Sequence, residues 1–243
     1  MKILFIRHAE PDYTIDSLTE KGWREAALLA RRLEKEPIAA AYVSPLGRAR
    51  DTASLSLEKL GMTAEVCPWL REFDAPIDRP DNPDEKKCPW DWLPGDWLAR
   101  PELLLEDGWY KNERMMAGHV HEAYRWVTES FDELLARHGY VREGRYYRAE
   151  RPNMDTIALF CHFGVTCVLL SHLMNVSPMI LWHGLCAAPS SVTTTATEER
   201  REGVASFRTL AFGDTSHLYI ENEPISFSAR FCECWTNQEE RHD

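Results

Sequence analysis

Residues 3–10 read ILFIRHAE, and residues 155–164 read DTIALFCHFG. Each stretch is a short apolar run that ends abruptly in a histidine. Ile3 to Ile6 and Thr156 to Cys161 have the length and composition of buried strands, and both are too brief for a signal peptide or a membrane span. In the second stretch Gly164 and a helical pattern follow the histidine. A rigid strand therefore delivers a polar side chain at its carboxyl end, twice in one chain.

Working outward, strand and helix patterns alternate. In LTEKGWREAALLARRLEKE (residues 18–36) Thr19 is a candidate N-cap, and Trp23, Ala26, Ala27, Ala30 and Leu33 fall on one helical face. IAAAYVSPLGRARDTASLSLEKLG (residues 38–61) reads as a strand around Ala40 to Val43, Ser44 as N-cap, Pro45 at the first helical position, and a helix ending near Gly61. AEVCPWLREF (residues 64–73) reads as another short strand. The alternation predicts an α/β fold with three αβα layers: a mainly parallel central sheet, helices on both faces, and an inserted cap region. Strand-rich patches at Ser190 to Thr197 and Ala205 to Phe212 complete the sheet in this reading.

The composition bounds the partners. The chain has 243 residues, 44% of them hydrophobic, enough for one substantial core, and residues 1–243 are read as a single domain with a Trp-rich insertion at about 74–151. A formal charge of -11 argues against nucleic acid or an anionic membrane as partner. The seven cysteines are odd in number and form no CxxC pair, which favours reduced thiols and a cytoplasmic location. Cys232 and Cys234 form a lone CxC, and His119 and His121 lie two apart on a predicted helix and so on different faces. No metal and no cofactor are expected.

In open α/β sheets the ligand site lies beyond the carboxyl ends of the strands. The residues there are Arg7 with His8, Arg48 one turn into the second helix, Glu72 after the third strand, and His162. No dinucleotide or P-loop fingerprint accompanies them. Two guanidiniums offer planar forks to phosphoryl oxygens, two imidazoles can act as nucleophile or donor, and a carboxyl can manage a proton. A phosphate group suits all five, since phosphoryl transfer demands positioning and charge stabilisation above all. Neighbouring arginines would also hold His8 neutral.

RHAE, LTEKGWREA, SPLGRARDTA, LREF and FCHFG, in this order, resemble the histidine phosphatase family, the phosphoglycerate mutase-like fold. GDTSHLY, ending at Tyr219, is similar to a late stretch of that family. The resemblance implies that His8 is the phosphorylated nucleophile, that Arg7, Arg48 and His162 bind the phosphoryl group, and that Glu72 is the proton donor, with Asp74 as a substitute. It implies a small phosphorylated substrate. Two departures are Ala9 and Phe163, where the family commonly has glycine. The residues after Glu72 differ from the mutase pattern, so a phosphomonoester hydrolase is expected. A cofactor-dependent mutase and a noncatalytic phosphate-binding or protein-binding module are the alternatives.

Between Glu72 and His162 the stretch CPWDWLPGDWLARPELLLEDGWYKNERMM (residues 88–116) sets Trp90, Trp92, Trp97, Trp109 and Tyr110 among prolines and acids. It reads either as a partial lid over His8 that sets leaving-group preference, or as a satellite core. A long helix from Asn112 to His138, with Met116, Val120, Ala123, Val127, Phe131 and Leu134 on one stripe, is followed by Gly139 and a hairpin at Glu143 and Gly144. The tail from Glu221 onward carries no pattern of its own. A homodimer contact is the role considered for it.

Overall fold

The computed structural model describes residues 1–228 and 230–239. The first third holds β1 (Lys2–Arg7), a small ladder of β2 (Pro11–Asp12) and β3 (Ser17–Leu18), α1 (Glu20–Leu33), β4 (Ile38–Val43), α2 (Gly47–Leu60) and β5 (Ala64–Val66). The middle holds a hairpin of β6 (Ile77–Arg79) and β7 (Asn82–Lys87), then α3 (Pro94–Leu98), α4 (Glu113–Ala117), α5 (Val120–Arg137), and a second hairpin of β8 (Tyr140–Glu143) and β9 (Tyr146–Ala149). The last third holds β10 (Thr156–Cys161), α6 (Phe163–Met174), α7 (Pro178–Gly184), β11 (Val192–Arg201), β12 (Val204–Asp214) and α8 (Ser216–Ile220).

Eight strands form one sheet in the order β5-β4-β10-β1-β11-β12-β9-β8. The half made of β5, β4, β10 and β1 is parallel throughout, as the expected βαβ alternation requires. From β1 outward the pairings β1–β11, β11–β12, β12–β9 and β9–β8 are antiparallel. β1 and β10 lie side by side in register, Arg7 opposite Cys161, so their two terminal histidines leave the sheet together.

Side-chain alternation on the central strands builds both cores. Leu4 and Ile6 of β1 and Ala158 and Phe160 of β10 face α1 and α2, packing with Leu29, Leu33 and Ala53. Ile3, Phe5, Ile157, Leu159 and Cys161 face the other way, into a larger core with Phe131 and Leu135 of α5 and Val165 and Leu169 of α6. Strands buried on both sides are near-continuously apolar for this reason, and each such side chain contributes about 1.5–3 kcal/mol.

Several local expectations are corrected. Thr19 does cap α1, accepting from the Gly22 amide at 3.0 Å, but the buried stripe is Gly22, Glu25, Ala26, Leu29, Ala30 and Leu33, while Trp23 and Ala27 are exposed. Ser44 is not the cap of α2; the helix begins at Gly47 after Leu46, and the Ser44 hydroxyl turns elsewhere. The single helix from Asn112 to His138 is two, α4 and α5, broken at Gly118 and His119, whose φ is +52°. A Cβ on Gly118 would come within 2.4 Å of the Pro76 carbonyl, so the insertion crosses too closely for a continuous helix. The break shifts the phase: Met115 is buried and Met116 exposed.

The tryptophans do not make a separate core. Trp92 and Trp109 are buried in the larger core, with Trp109 edge-on to Trp182 and Tyr124, and Trp97 stacks on His183 at 4.9 Å. A buried arginine, Arg79, ties the inserted hairpin to Asp81 at 2.7 Å and Asp91 at 3.1 Å. Among the described residues no helix is long and apolar enough to cross a membrane.

Candidate active site

The ends of β1, β4, β5 and β10 converge at one edge of the sheet. His8 follows β1 directly and is almost wholly buried. Its Nδ1 lies 2.8 Å from the Ala9 carbonyl, an obligatory acceptor, so Nδ1 carries the proton and Nε2 keeps its lone pair. The ring of His162, at the end of β10, stands 5.1 Å from that of His8, tilted by 58°. His162 Nε2 meets the Ser44 hydroxyl at 2.7 Å, and that hydroxyl already accepts the Leu46 amide at 3.2 Å. The Leu46 amide can only donate, so Nε2 is the acceptor within reach of this buried hydroxyl's proton; Ser44 donates to it, which leaves the proton of His162 on Nδ1. That atom is buried and has no protein partner.

Burial drives both imidazoles well below their ordinary pKa, helped at His8 by Arg7 and Arg48 and at His162 by His8, Arg48 and Arg7. Arg7 donates through Nη1 to the Ala187 carbonyl. Arg48, in the first turn of α2, is held by the Asp16 carboxylate at 2.6 Å, and the other Asp16 oxygen accepts the Gly47 amide at 2.7 Å. The Nε atoms of Arg7 and Arg48 are, like His162 Nδ1, buried without a protein partner. Three residues of the cluster thus each keep an N–H donor unsatisfied, and because a buried donor without a partner is costly, an anion bound among them would relieve that cost.

Glu72 follows a single 3-10 turn after β5. Its carboxylate accepts the amides of Phe73 at 2.7 Å, Val165 at 3.0 Å and Gly164 at 3.2 Å, so it caps the start of α6 immediately after His162. Burial raises its pKa above the usual carboxylate value, against the pull of these three amides and of Arg7. Asp74 is more than half exposed and pairs with Arg71 at 3.4 Å, away from the α6 amides. All five residues singled out in the sequence, Arg7, His8, Arg48, Glu72 and His162, thus gather at one place.

The family model of the histidine phosphatase superfamily (branch 1) matches residues 3–209. The chain belongs to this superfamily.

Solved structures of similar fold include phosphoserine phosphatase from Entamoeba histolytica in complex with phosphoserine, 17% identical, TM-score 0.58, covering 89% of this chain and 98% of that one. A mycobacterial glucosyl-3-phosphoglycerate phosphatase is 19% identical with a TM-score of 0.57, covering 87% and 98% of the two chains. YhfR of Bacillus stearothermophilus is 21% identical with a TM-score of 0.55, covering 89% and 98%. No curated protein sequence matches.

In this histidine phosphatase the two departures from family glycines have structural reasons. Ala9 is fully buried against Leu18 and Ala26, and its amide donates to Thr52 Oγ1 at 2.9 Å. Phe163 packs edge-on to Trp90 at 6.3 Å, while the next residue, Gly164, takes over the close approach: a Cβ there would lie 2.6 Å from both Glu72 Oε1 and Trp90 Nε1. Trp90 itself donates to the Phe73 carbonyl at 2.7 Å, so the insertion reaches the site beside Glu72.

Sequence reading missed Asp16, Ser44 and Thr52 as parts of the site, and offered Trp90 only as one of five aromatics of a lid or satellite core. Asp16 carried a signal, since it sits just ahead of the α1 cap, but its partner is 32 positions away on α2. No cluster of three or more His, Cys, Asp and Glu suited to a metal occurs among the described residues. His119 pairs with Glu122 at 3.3 Å and His121 stacks on Tyr110 at 3.9 Å.

Proposed function

We propose that this histidine phosphatase hydrolyses small phosphate monoesters through a covalent phosphohistidine at His8. The observation that carries the reading is the pairing of a neutral His8, its Nε2 lone pair free, with three unpartnered buried donors from Arg7, Arg48 and His162. The His8 Nε2 lone pair attacks phosphorus, the bond from phosphorus to the ester oxygen breaks, and the departing alkoxide takes the proton of Glu72. Arg7, Arg48 and the Nδ1–H of His162 stabilise the equatorial oxygens as charge spreads over them. A water then attacks the phosphohistidine, Glu72 accepts its proton, and the phosphorus–nitrogen bond breaks to release inorganic phosphate and neutral His8.

A raised Glu72 pKa supports its part, because the group must hold a proton in the first step and accept one in the second. We read residues 1–243 as one domain with the 74–151 insertion as a cap that shapes the leaving-group side through Trp90. The net charge of -11 supports a small-molecule substrate over nucleic acid, and seven thiols without a disulfide suit a reducing cytoplasm. A homodimer formed through the tail is consistent with the exposed Phe231 and Trp235. The test is turnover of the wild type and His8→Ala over a panel of sugar phosphates, nucleotides, glycerate phosphates, phosphoserine and phosphopeptides. Phosphate release by the wild type alone supports the proposal. Equal rates in the two proteins, or isomerisation without phosphate release, would reject it.

A further inference from the structure

The segment that leads into β11 wraps behind the nucleophile in a backbone shape that serine rarely adopts. Ser190 has a φ of +60°, in the left-handed region that favours glycine, and is fully buried. In this conformation its amide donates to the carbonyl oxygen of His8 at 3.0 Å. On the other side the His8 amide donates to the Cys161 carbonyl at 3.0 Å, so the backbone of His8 is gripped from β10 and from the β11 entry together. Glycine would hold the same shape without strain. What serine adds is its hydroxyl, and that hydroxyl has a partner.

Ser190 Oγ lies 3.1 Å from Nε2 of His217, which is buried in α8. His217 Nδ1 faces Arg32 Nη1 at 3.5 Å. A guanidinium only donates, so Nδ1 accepts and Nε2 carries the proton that His217 gives to Ser190. Burial, with Arg32 nearby, keeps this imidazole neutral, its pKa pushed down to about 4. Arg32 is fixed in turn by the Asp214 carboxylate at 2.7 Å and the Asp214 carbonyl at 3.2 Å. The late GDTSHLY stretch thereby acquires a physical task.

We infer that Ser190 and His217 are positioning residues for the nucleophile, the chain Asp214–Arg32–His217–Ser190 fixing the carbonyl of His8 and with it the line along which Nε2 meets phosphorus. This rests on the reading of His8 as nucleophile. Arg48 and His162 are held by other elements, and Arg7 by the Ala187 carbonyl rather than by Ser190, so anion binding survives when the chain is cut and the chemical step suffers.

The experiment compares His217→Leu, His217→Gln, whose amide can still donate, and Ser190→Gly, which keeps the backbone shape and loses the hydroxyl. For each, kcat on a wild-type substrate, inhibition by inorganic phosphate, thermal melting and the 15N signals of the His8 ring are measured. His217→Leu and Ser190→Gly are expected to lose about tenfold to a hundredfold in kcat with phosphate inhibition nearly unchanged, and His217→Gln to recover most of the loss. The ring signals should pass from one Nδ1–H tautomer to a mixture in His217→Leu. An unchanged kcat in either of the first two, or kcat and phosphate inhibition falling together with Gln no better than Leu, would overturn the inference. If the wild type turns over no ester, the nucleophile reading has failed. The ring signals then decide the positioning claim alone: a mixture upholds it, and one unchanged tautomer rejects it. Should His217→Leu not fold, Ser190→Gly carries the comparison.

Discussion

At the scale of single residues, the chemistry depends on where protons sit on two imidazoles. The Ala9 carbonyl holds a proton on His8 Nδ1, and the Ser44 hydroxyl holds one on His162 Nδ1, so one ring attacks and the other donates. Because His8 is driven well below its ordinary pKa, kcat/KM should rise with pH along an acid limb lying well below 6.5. On the alkaline side activity should fall as Glu72 loses its proton, with a midpoint above 4.5. Glu72→Gln should remove the alkaline limb and slow alkyl phosphates far more than aryl phosphates, whose leaving groups need little protonation. Arg48→Ala should cost about 10²–10³ in kcat, as loss of one donor to a developing oxyanion does elsewhere, and Asp16→Asn a smaller part of the same loss. Gly164→Ala pushes a methyl group against the hydrogen-bonded Glu72 carboxylate and Trp90 ring, so kcat and the melting temperature should fall together. Arg7, His8, Glu72 and His162 are legible in the sequence because each follows an apolar or short strand pattern at its carboxyl end. Asp16, Ser44 and Thr52 are not, because each acts through a partner distant in the chain, and a serine before a proline looks like any cap.

At the scale of elements, packing decides what periodicity leaves open. β1, β4, β5, β10, α1, α2 and α6 follow from pattern, the Thr19 cap and the left-handed Gly61 that ends α2. The break between α4 and α5 does not, since nothing local shows that Pro76 passes 2.4 Å from a Cβ at position 118. On α1 a burial pattern hides a carboxyl: Glu25 is fully buried, accepts the Glu10 amide at 2.9 Å, and its pKa is pushed up to about 7. Its folded pKa exceeds its unfolded one, so the folded state binds the extra proton. The corresponding stability is complete below the unfolded pKa of about 4.3 and is lost as pH rises through about 7. Glu25→Gln keeps the acceptor and removes the charge. It should stabilise the protein at pH 8 by about 1–3 kcal/mol and flatten the dependence of melting temperature on pH between 5 and 8.

At the scale of the whole molecule, two histidines from neighbouring parallel strands share a site with residues from β4, β5 and the loop before β11. That convergence is legible because a parallel sheet puts every strand's carboxyl end on one edge. The antiparallel half is less so: β11 and β12 run to Arg201 and Asp214, beyond the strand patches read from sequence, because the far end of β11, Glu198 to Arg201, is wholly charged and carries no apolar alternation to mark it. The insertion was readable as aromatic-rich but not as part of the main core, since composition does not say which core a tryptophan joins. Trimming β6 and β7 should reorder substrates more than it alters inhibition by phosphate, measured across the same ester panel.

The most direct measurement is a rapid acid-free quench of the wild type during turnover with phosphorus-labelled ester, followed by peptide mapping. One phosphoryl group per chain on the peptide that carries His8, stable to alkali, lost in acid and absent from His8→Ala, is the predicted result. Label on any other side chain, or turnover at an undiminished rate by His8→Ala, would contradict it.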